Sequence, residues 1–210
     1  MLIKKTVEEF NSVLGSDAPA PGGGSVAALS GALGAELVSM VCRLSLGRAD
    51  LAGHQAGLES TLKKAEELAA SLLKRVDLDT EAFNGVMAAF KMPKTTDEEK
   101  KARSQAIQAG YQEAVQSPLG IAGESLEVLR LAEKMLGGFN ANALSDLGVA
   151  GLEAKAGLEG AVMNVLINLP SIKDEAFVNE TRAKVKTLLQ EGGTLQSKIY
   201  SFVQGSLGGS

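Results

Sequence analysis

Two aspartates lie two residues apart in the segment VDLDTEAF, and only one of them falls on the apolar face of the helix predicted there. Apolar residues recur at steps of three and four from Leu62 to Phe90, which is the spacing of a buried helical seam. Asp79 is the polar residue on that seam, whereas Asp77 lies off it and is expected to face solvent. A carboxylate in apolar surroundings has a raised pKa unless it is paired, and proteins prepare a general acid or base in this way. Asp79 is therefore the candidate catalytic residue; the alternative is a structural carboxylate that a neighbour satisfies.

A glycine-rich turn immediately precedes a long apolar helical pattern that runs from Val26 to Leu46. Amide N–H groups at the start of a helix are free of intrahelical partners, and the helix dipole is positive there, so such a turn suits an anion or the polar edge of a ligand. The alternative is that the glycines only let the backbone pack closely. The candidate residues of this turn are Pro21, Gly22, Gly23, Gly24 and Ser25.

A stripe of small and polar residues follows one face of the helical segment that Pro170 ends. The stripe begins at Asp146 and ends with Asn164 and Asn168, whose amides are one helical turn apart and can reach the same ligand. Such a stripe either forms hydrogen bonds with another helix or lines a cleft. We favour the cleft.

The elements that must position these residues are all predicted to be helices, in a single domain that comprises residues 1–210. The segments 26–46 and 58–91 are predicted to form a long central pair, in which Glu36 is either paired in the core or faces a cavity. Ser117 and Pro118 are typical of a helix start, which predicts a boundary between two helices at that point. We expect about seven helices, near residues 7–14, 26–46, 58–91, 97–116, 118–136, 147–169 and 172–203.

Composition excludes several classes of protein. The chain has 210 residues, of which 45% are apolar and 4% aromatic, and a net charge of −4 favours neither nucleic acid nor an anionic membrane as a partner. The run from Val26 to Leu46 is too short and too rich in small residues to be read as a membrane span. Cys42 and His54 are the sole residues of their types, so neither a disulfide nor a metal site is predicted. We expect a cytoplasmic protein, because the N-terminal segment lacks a secretory pattern.

Four segments together resemble one known family, and the resemblance extends over essentially the whole chain in the same order. The segments are PAPGGGSVAALSGALGAELVSMV, VDLDTEAFNGVMAAFKMPKTTDEEK, SDLGVAGLEA and NVLINLPSIKDEAF. They are similar to the cyclodeaminase/cyclohydrolase family, which includes the C-terminal domain of bifunctional formiminotransferase-cyclodeaminase and free-standing bacterial methenyltetrahydrofolate cyclohydrolases. The resemblance implies an all-helical homodimer that acts on the one-carbon unit between N5 and N10 of tetrahydrofolate, with no cofactor beyond that substrate.

The same resemblance implies roles for individual residues. The family's catalytic aspartate corresponds to Asp79, the residue on the helical seam, and the glycine-rich turn is implied to help form the folate cleft. The polar turn matches at Asn140, Ser145 and Asp146, and the NVLIN segment matches at Asn164 and Asn168. All five are implied to be substrate-binding residues.

Two reactions remain open from the sequence, because both pass through a tetrahedral carbon between the two folate nitrogens. The cyclohydrolase adds water to the methenyl carbon, whereas the cyclodeaminase closes the ring and releases ammonia; one carboxylate can serve both. No formiminotransferase domain is found in these 210 residues, which leaves the deaminase activity in question. The alternatives are another amidine or folate hydrolase on the same scaffold, and a non-catalytic helical dimer that binds folate or a protein partner.

Overall fold

The computed structural model describes residues 1–208, and within them the chain forms six α-helices joined by short connections. The helices are α1 (Val7–Leu14), α2 (Gly23–Ser45), α3 (Gln55–Phe90), α4 (Asp97–Lys134), α5 (Leu144–Asn168) and α6 (Glu175–Leu207). Short 3₁₀ turns occupy Leu2–Lys4, Ala49–His54, Ala141–Ala143 and Leu169–Ser171. The all-α prediction is confirmed, because no strand occurs among the described residues. The number of helices is six and not seven.

Pro118 lies inside α4, where a boundary between two helices was expected. Inside a helix, proline removes the N–H that would bind the carbonyl four residues earlier, which here belongs to Ala114. The amide nitrogen of Asn168 lies 3.4 Å from that carbonyl oxygen and donates a hydrogen bond to it. Residues on both sides of the proline, including Val115 and Leu119, are buried. These tertiary contacts let α4 continue through the proline.

The central helix is α2, which packs against α3, α4 and α5. Small residues of α2 lie where α5 crosses it. A β-carbon on Gly34 would be 2.9 Å from the carbonyl oxygen of Ala150, and one on Gly157 would be 2.8 Å from the backbone nitrogen of Gly31. The two helices are antiparallel, because Gly31 of α2 contacts Gly157 of α5, whereas Gly34, further along α2, contacts Ala150, which is earlier in α5.

One side of α2 remains at the surface. Glu36 is exposed, so the expectation that it is paired in the core or faces a cavity is wrong. It lies on the same side of the helix as Arg43, which forms an ion pair with Glu66 of α3. By length and composition α2 could cross a membrane, but 61% of its most apolar window is buried inside the protein.

The N-terminal segment packs against α3 and changes the environment of Asp77. The backbone N–H of Leu2 donates a hydrogen bond to Oδ1 of Asp77, and Oδ2 is buried without a hydrogen-bond partner. The prediction that Asp77 faces solvent is therefore wrong. Helix periodicity identifies the face of α3 on which Asp77 lies, but it does not show that another segment covers that face.

The long helices α3 and α4 continue past the core as a helical hairpin. In α3 the run of buried residues stops at Val76, and only Val86 and Ala89 are buried after it. In α4 the first buried residue is Val115. One side of this hairpin faces the beginning of α2 and the end of α5, and the candidate site lies there.

Candidate active site

A cavity of about 270 Å³ lies between the α3–α4 hairpin and the end of α5. It brings together three of the residues that were singled out from the sequence, Asp79, Asn164 and Asn168. Its volume is slightly below the ~300–1,000 Å³ of pockets that enclose drug-sized ligands. The remaining lining residues are Ala82, Phe83, Val86, Met87, Phe90, Tyr111 and Ala114.

The Asp79 carboxylate lies against the first turn of α2. A β-carbon built on Gly24 would be 2.3 Å from both carboxylate oxygens and 2.4 Å from the carbon that bears them. Asp79 also accepts a hydrogen bond from the backbone of Ser25, whose hydroxyl donates to the carbonyl oxygen of Val76 at 2.8 Å. The glycine-rich turn and the seam aspartate are thus parts of one contact.

Two effects act on the Asp79 carboxylate in opposite directions. Burial raises the pKa above the usual value of an aspartate, and the backbone hydrogen bond from Ser25 lowers it; burial is the larger effect. Apart from Asp79, Tyr111 is the titratable residue among those that line the cavity. A carboxylate whose pKa is raised in a partly dry environment accepts a proton more readily than an ordinary aspartate, as a general base must.

The two asparagines are fixed by carbonyl groups of the helices. The amide nitrogen of Asn164 donates to Gly160 at 2.8 Å, and that of Asn168 donates to Asn164 at 2.9 Å and to Ala114 at 3.4 Å. These bonds use the amide nitrogens and leave the side-chain oxygens as acceptors for a ligand.

Aromatic side chains form the wall opposite the asparagines, and sequence reasoning missed their role. Phe83 and Phe90 were assigned to a buried seam, but each is 41% exposed and lines the cavity. The ring of Tyr111, on α4, meets that of Phe90 edge to face with 6.2 Å between centroids. The apolar stripe of α3 continues past Asp79, and this could have indicated that the two phenylalanines lie on the same side as the carboxylate. No spacing in the sequence indicated that Tyr111, on another helix, lies beside them.

The polar turn lies far from this cavity. The side chain of Asn140 donates to the carbonyl oxygen of Leu44, at the C-terminal end of α2, whereas Asp79 lies at the N-terminal end. A helix of 23 residues is about 34 Å long, so Asn140, Ser145 and Asp146 are roughly 30 Å from Asp79 within this chain. The expectation that these three residues share a cleft with Asp79 is not met within one chain, because α5 runs antiparallel to α2 and separates them from Asn164.

The members of the glycine-rich turn differ in their exposure. Pro21, Gly24 and Ser25 are buried, whereas Gly23 is exposed and a β-carbon on it would be 3.4 Å from the amide nitrogen of Asn164. Gly22 precedes the first residue of α2 and is half-buried. Of the turn, Gly22 and Gly23 therefore remain accessible to a ligand.

A larger groove of about 710 Å³ lies on the other side of the α3–α4 hairpin. Ala82 lines both spaces, but Asp79 and the asparagines line the smaller one alone. The larger groove contains Arg75, whose guanidinium is paired with Glu124 at 2.7 Å. We take the smaller cavity as the candidate active site, because the sequence-predicted residues converge there.

Comparisons of the sequence with known proteins point to one family. The sequence model of a family described as formiminotransferase-cyclodeaminase matches residues 6–187. A methenyltetrahydrofolate cyclohydrolase of Methylorubrum extorquens is 44% identical over 200 residues, which cover 95% of this chain and 96% of that protein. The formimidoyltransferase-cyclodeaminase of Rattus norvegicus is 36% identical over 193 residues, which cover 92% of this chain.

The chain spans only 36% of the length of that rat protein. Among solved structures, a formiminotetrahydrofolate cyclodeaminase from Thermotoga maritima matches with a TM-score of 0.89 and covers 99% of this chain and 100% of its own. At 23% sequence identity, this likeness establishes the fold.

Proposed function

The chain belongs to the formiminotransferase-cyclodeaminase family, and on that premise we propose that it is a methenyltetrahydrofolate cyclohydrolase. The proposed reaction converts 5,10-methenyltetrahydrofolate and water into 10-formyltetrahydrofolate. The observation that carries the proposal is the half-buried Asp79 carboxylate, which has a raised pKa in a cavity with aromatic walls. A cyclohydrolase relative that aligns along 96% of its own length supports this reaction as the principal one.

Asp79 serves as base and then as acid in the proposed mechanism. Its carboxylate takes one proton from water as the oxygen bonds to the methenyl carbon. It then returns a proton to N5 as the bond between that carbon and N5 breaks. The remaining proton of the former water leaves to solvent as the formyl carbonyl forms, so one proton is released per turnover. The negative carboxylate also stabilises the positive charge of the amidinium carbon.

Other residues of the cavity bind the substrate in this proposal. Phe83, Phe90 and Tyr111 offer apolar ring surface for the flat pterin. The amide oxygens of Asn164 and Asn168 accept hydrogen bonds from its polar edge. The cavity holds about 270 Å³, so the p-aminobenzoylglutamate part extends outside it. The steps use acid–base chemistry alone, and no cofactor beyond the folate enters the proposal.

Cyclodeamination of 5-formiminotetrahydrofolate is the second candidate, since relatives named formimidoyltransferase-cyclodeaminase align with 92% of this chain. In that reaction N10 attacks the formimino carbon, and the same carboxylate would move the protons that release ammonia. Appearance of the methenyl chromophore from 5-formiminotetrahydrofolate, together with ammonia, would establish it.

The test of the principal proposal follows the loss of methenyltetrahydrofolate absorbance with purified protein. We expect Asp79→Asn to lower kcat/KM by about 10²–10⁴-fold, the usual contribution of a positioned acid–base group. Asp77→Asn is a matched control, because it makes the same change two residues away in a side chain bound by the Leu2 N–H. Equal rates for the wild type and Asp79→Asn, or no rate above buffer, would contradict the proposal.

The same variant separates catalysis from binding alone. A non-catalytic folate-binding protein would retain full ligand affinity in Asp79→Asn and would show no turnover in the wild type. Another hydrolase on this scaffold would need Asp79 but would leave methenyltetrahydrofolate unchanged.

We also propose that the protein is a homodimer. Apolar side chains on the outer sides of α2 and α5 are exposed, and two of them, Met163 and Ile167, are 69% and 75% exposed. Apolar surface that is exposed to this extent is typical of an interface with another protein. Residues 1–210 form one domain in this proposal, supported by a hydrophobic core that draws on α2 to α6. A cytoplasmic location is part of it as well, supported by the unpaired and buried Cys42.

A further inference from the structure

We propose that the first turn of α2 holds the Asp79 carboxylate in its working position, with Ser25 as the positioning residue and Gly24 as the place where no side chain fits. The inference rests on the proposed function, because it assigns Asp79 the acid–base role. It gives part of the glycine-rich turn a task other than ligand binding.

The space at Gly24 is filled by the Asp79 carboxyl group. A β-carbon there would lie 2.3–2.4 Å from three atoms of the Asp79 carboxyl group, and real β-carbons essentially never make nonbonded contacts shorter than 3.0 Å. Gly24 is buried, so neither group has a free direction in which to withdraw except toward the cavity. Glycine at this position is therefore needed for the approach of the carboxylate and not for a left-handed backbone.

A side-chain hydrogen bond joins the first turn of α2 to α3. Ser25 is fully buried, and its hydroxyl donates to the carbonyl oxygen of Val76 at 2.8 Å. Val76 precedes Asp79 by three residues, about one helical turn. The hydroxyl therefore fixes the turn against the part of α3 that carries the carboxylate, and the backbone of Ser25 binds the carboxylate itself.

Few titratable or charged groups face the Asp79 carboxylate. Tyr111 faces the cavity from α4, and the asparagines that face it from α5 do not titrate. On α3 the charged neighbours are engaged elsewhere or turned away: Arg75 pairs with Glu124, Asp77 binds Leu2, and Glu81 lines the opposite groove. The first turn of α2 contacts Asp79, and both the hydrogen bond from Ser25 and the positive end of the helix favour the ionised form of the carboxyl group.

The arrangement has a consequence for ligand binding. The amide of Ser25 is used by Asp79, so the turn offers a substrate only the accessible part at Gly22 and Gly23. Without the contact, the carboxylate is free to rotate into the cavity and loses the hydrogen bond that favours its charge.

The test measures the protonation of Asp79 directly in folate-free protein. The ¹³C signal of its carboxyl group, assigned by its loss in Asp79→Asn, is followed against pH in the wild type, Ser25→Ala and Gly24→Ala. We expect the midpoint to move to higher pH in both variants. Gly23→Ala is the matched control, because its β-carbon meets the Asn164 amide at an ordinary 3.4 Å and should leave the midpoint in place. Unchanged midpoints in Ser25→Ala and Gly24→Ala would overturn the inference.

Because this titration needs no turnover, it separates the inference from the proposed function. A wild type that does not hydrolyse methenyltetrahydrofolate would refute the function and leave the titration result intact. If the wild type is active, we expect Gly24→Ala to lower kcat by up to about 10²-fold, as small displacements of a catalytic group do. The pH at which kcat is half-maximal should move upward in Ser25→Ala.

A double-mutant cycle keeps the test decisive if Gly24→Ala folds poorly. The thermal midpoint of unfolding is compared for Gly24→Ala in the wild-type and Asp79→Ala backgrounds. We expect Gly24→Ala to lower the thermal midpoint clearly in the wild-type background. In the Asp79→Ala background it should lower the midpoint little or not at all, because no carboxylate is present to meet the new methyl group. An equal loss in both backgrounds would show that the methyl group clashes with something other than Asp79, and it would refute the assignment.

Discussion

At the scale of single residues, Asp79 differs from Asp77 through what surrounds each carboxylate. Burial raises the pKa of Asp79, whereas the N-terminal turn of α2 supplies a hydrogen bond that opposes the rise. Asp77 instead fixes the N-terminal segment through the Leu2 N–H. Two carboxylates of the same helix thus have different tasks, one at a cavity and one at a packing contact.

The pKa of Asp79 predicts how stability depends on pH. A folded-state pKa above the unfolded value means that the folded protein binds the proton more readily, so its contribution to stability is lost as pH rises through the folded pKa. The unfolding free energy of the wild type relative to Asp79→Asn should therefore increase as pH falls through that value. Denaturant titrations of both proteins at several pH values check this. If the difference in unfolding free energy between the two proteins does not change with pH, the prediction is contradicted.

The sequence was sufficient to place Asp79 and Asp77 on different faces of α3, because the two residues differ in their position on one helical seam, and Asp79 lines the cavity. It was not sufficient to find the partner of Asp77, since Leu2 lies 75 residues away along the chain. The same limit explains why Tyr111 was missed. Periodicity relates residues within one helix, whereas a cavity wall combines side chains from several helices.

At the scale of elements, the crossing of α2 and α5 depends on the absence of side chains. A β-carbon on Gly157 would be within 3.0 Å of the Gly31 nitrogen, the Ala27 carbonyl oxygen and the Ser125 hydroxyl. The first two are backbone atoms, which cannot withdraw unless a helix moves. Gly157 belongs to the stripe of small and polar residues for which we favoured a cleft, and Asn164 and Asn168 of that stripe line the cavity.

We expect Gly157→Ala to destabilise the protein by about 1–3 kcal/mol or more, as overpacking in a core does. Gly123→Ala is the control: it is also helical, and its β-carbon would meet no atom within 4 Å. Removing a helical glycine there should stabilise the protein by about 0.5–1 kcal/mol. Chemical denaturation of the three proteins measures both effects. If Gly157→Ala leaves the free energy of unfolding unchanged, the prediction is contradicted, because the helices would then be able to move apart at no cost in stability.

A second prediction concerns the long helix α4. Pro118 leaves the Ala114 carbonyl without its helical donor, and the Asn168 amide occupies it. We expect Asn168→Ala to cost about 1 kcal/mol more in the wild type than in a Pro118→Ala background, where the alanine N–H can bind Ala114. A double-mutant cycle of unfolding free energies tests this coupling. Additive effects would contradict it.

The proline also shows why the number of helices could not be predicted from local signals. Ser117 and Pro118 have the composition of a helix start, and nothing nearby in sequence opposes that interpretation. The residues that override it are the buried contacts of α4 and an asparagine 50 positions further along the chain. Local propensity is a weak guide where tertiary packing is dense.

At the scale of the whole molecule, the antiparallel course of α2 and α5 separates the two sets of predicted binding residues. Asn164 and Asn168 lie near Asp79, and Asn140, Ser145 and Asp146 lie at the far end of α2. The resemblance had grouped them in one cleft, because similarity by segment carries no information on distance. The fold class needed no such information and was predictable from helical patterning alone.

The proposed dimer can be tested with two leucines of equal exposure. Leu33 lies on the outer side of α2 and is 48% exposed. Leu78 lines the larger groove of the α3–α4 hairpin, away from the candidate site, and is 47% exposed. We expect Leu33→Glu to reduce the sedimentation coefficient of the wild-type dimer to that of a monomer and Leu78→Glu to leave it unchanged. A monomeric wild type, or the same dissociation in both variants, would contradict the proposal.

The glycines of this fold have a consequence for reading evolution from alignments. We expect both Gly157 and Gly24 to be retained among relatives, although a column of aligned glycines records no reason for its invariance. The atoms nearest a β-carbon at Gly157 include backbone atoms of α2, whereas the three nearest one at Gly24 all belong to the Asp79 carboxyl group. A relative that had abandoned the chemistry would be free to replace Gly24 and Asp79 together while it kept Gly157. Joint loss of that pair would therefore identify members of the family that have changed their reaction.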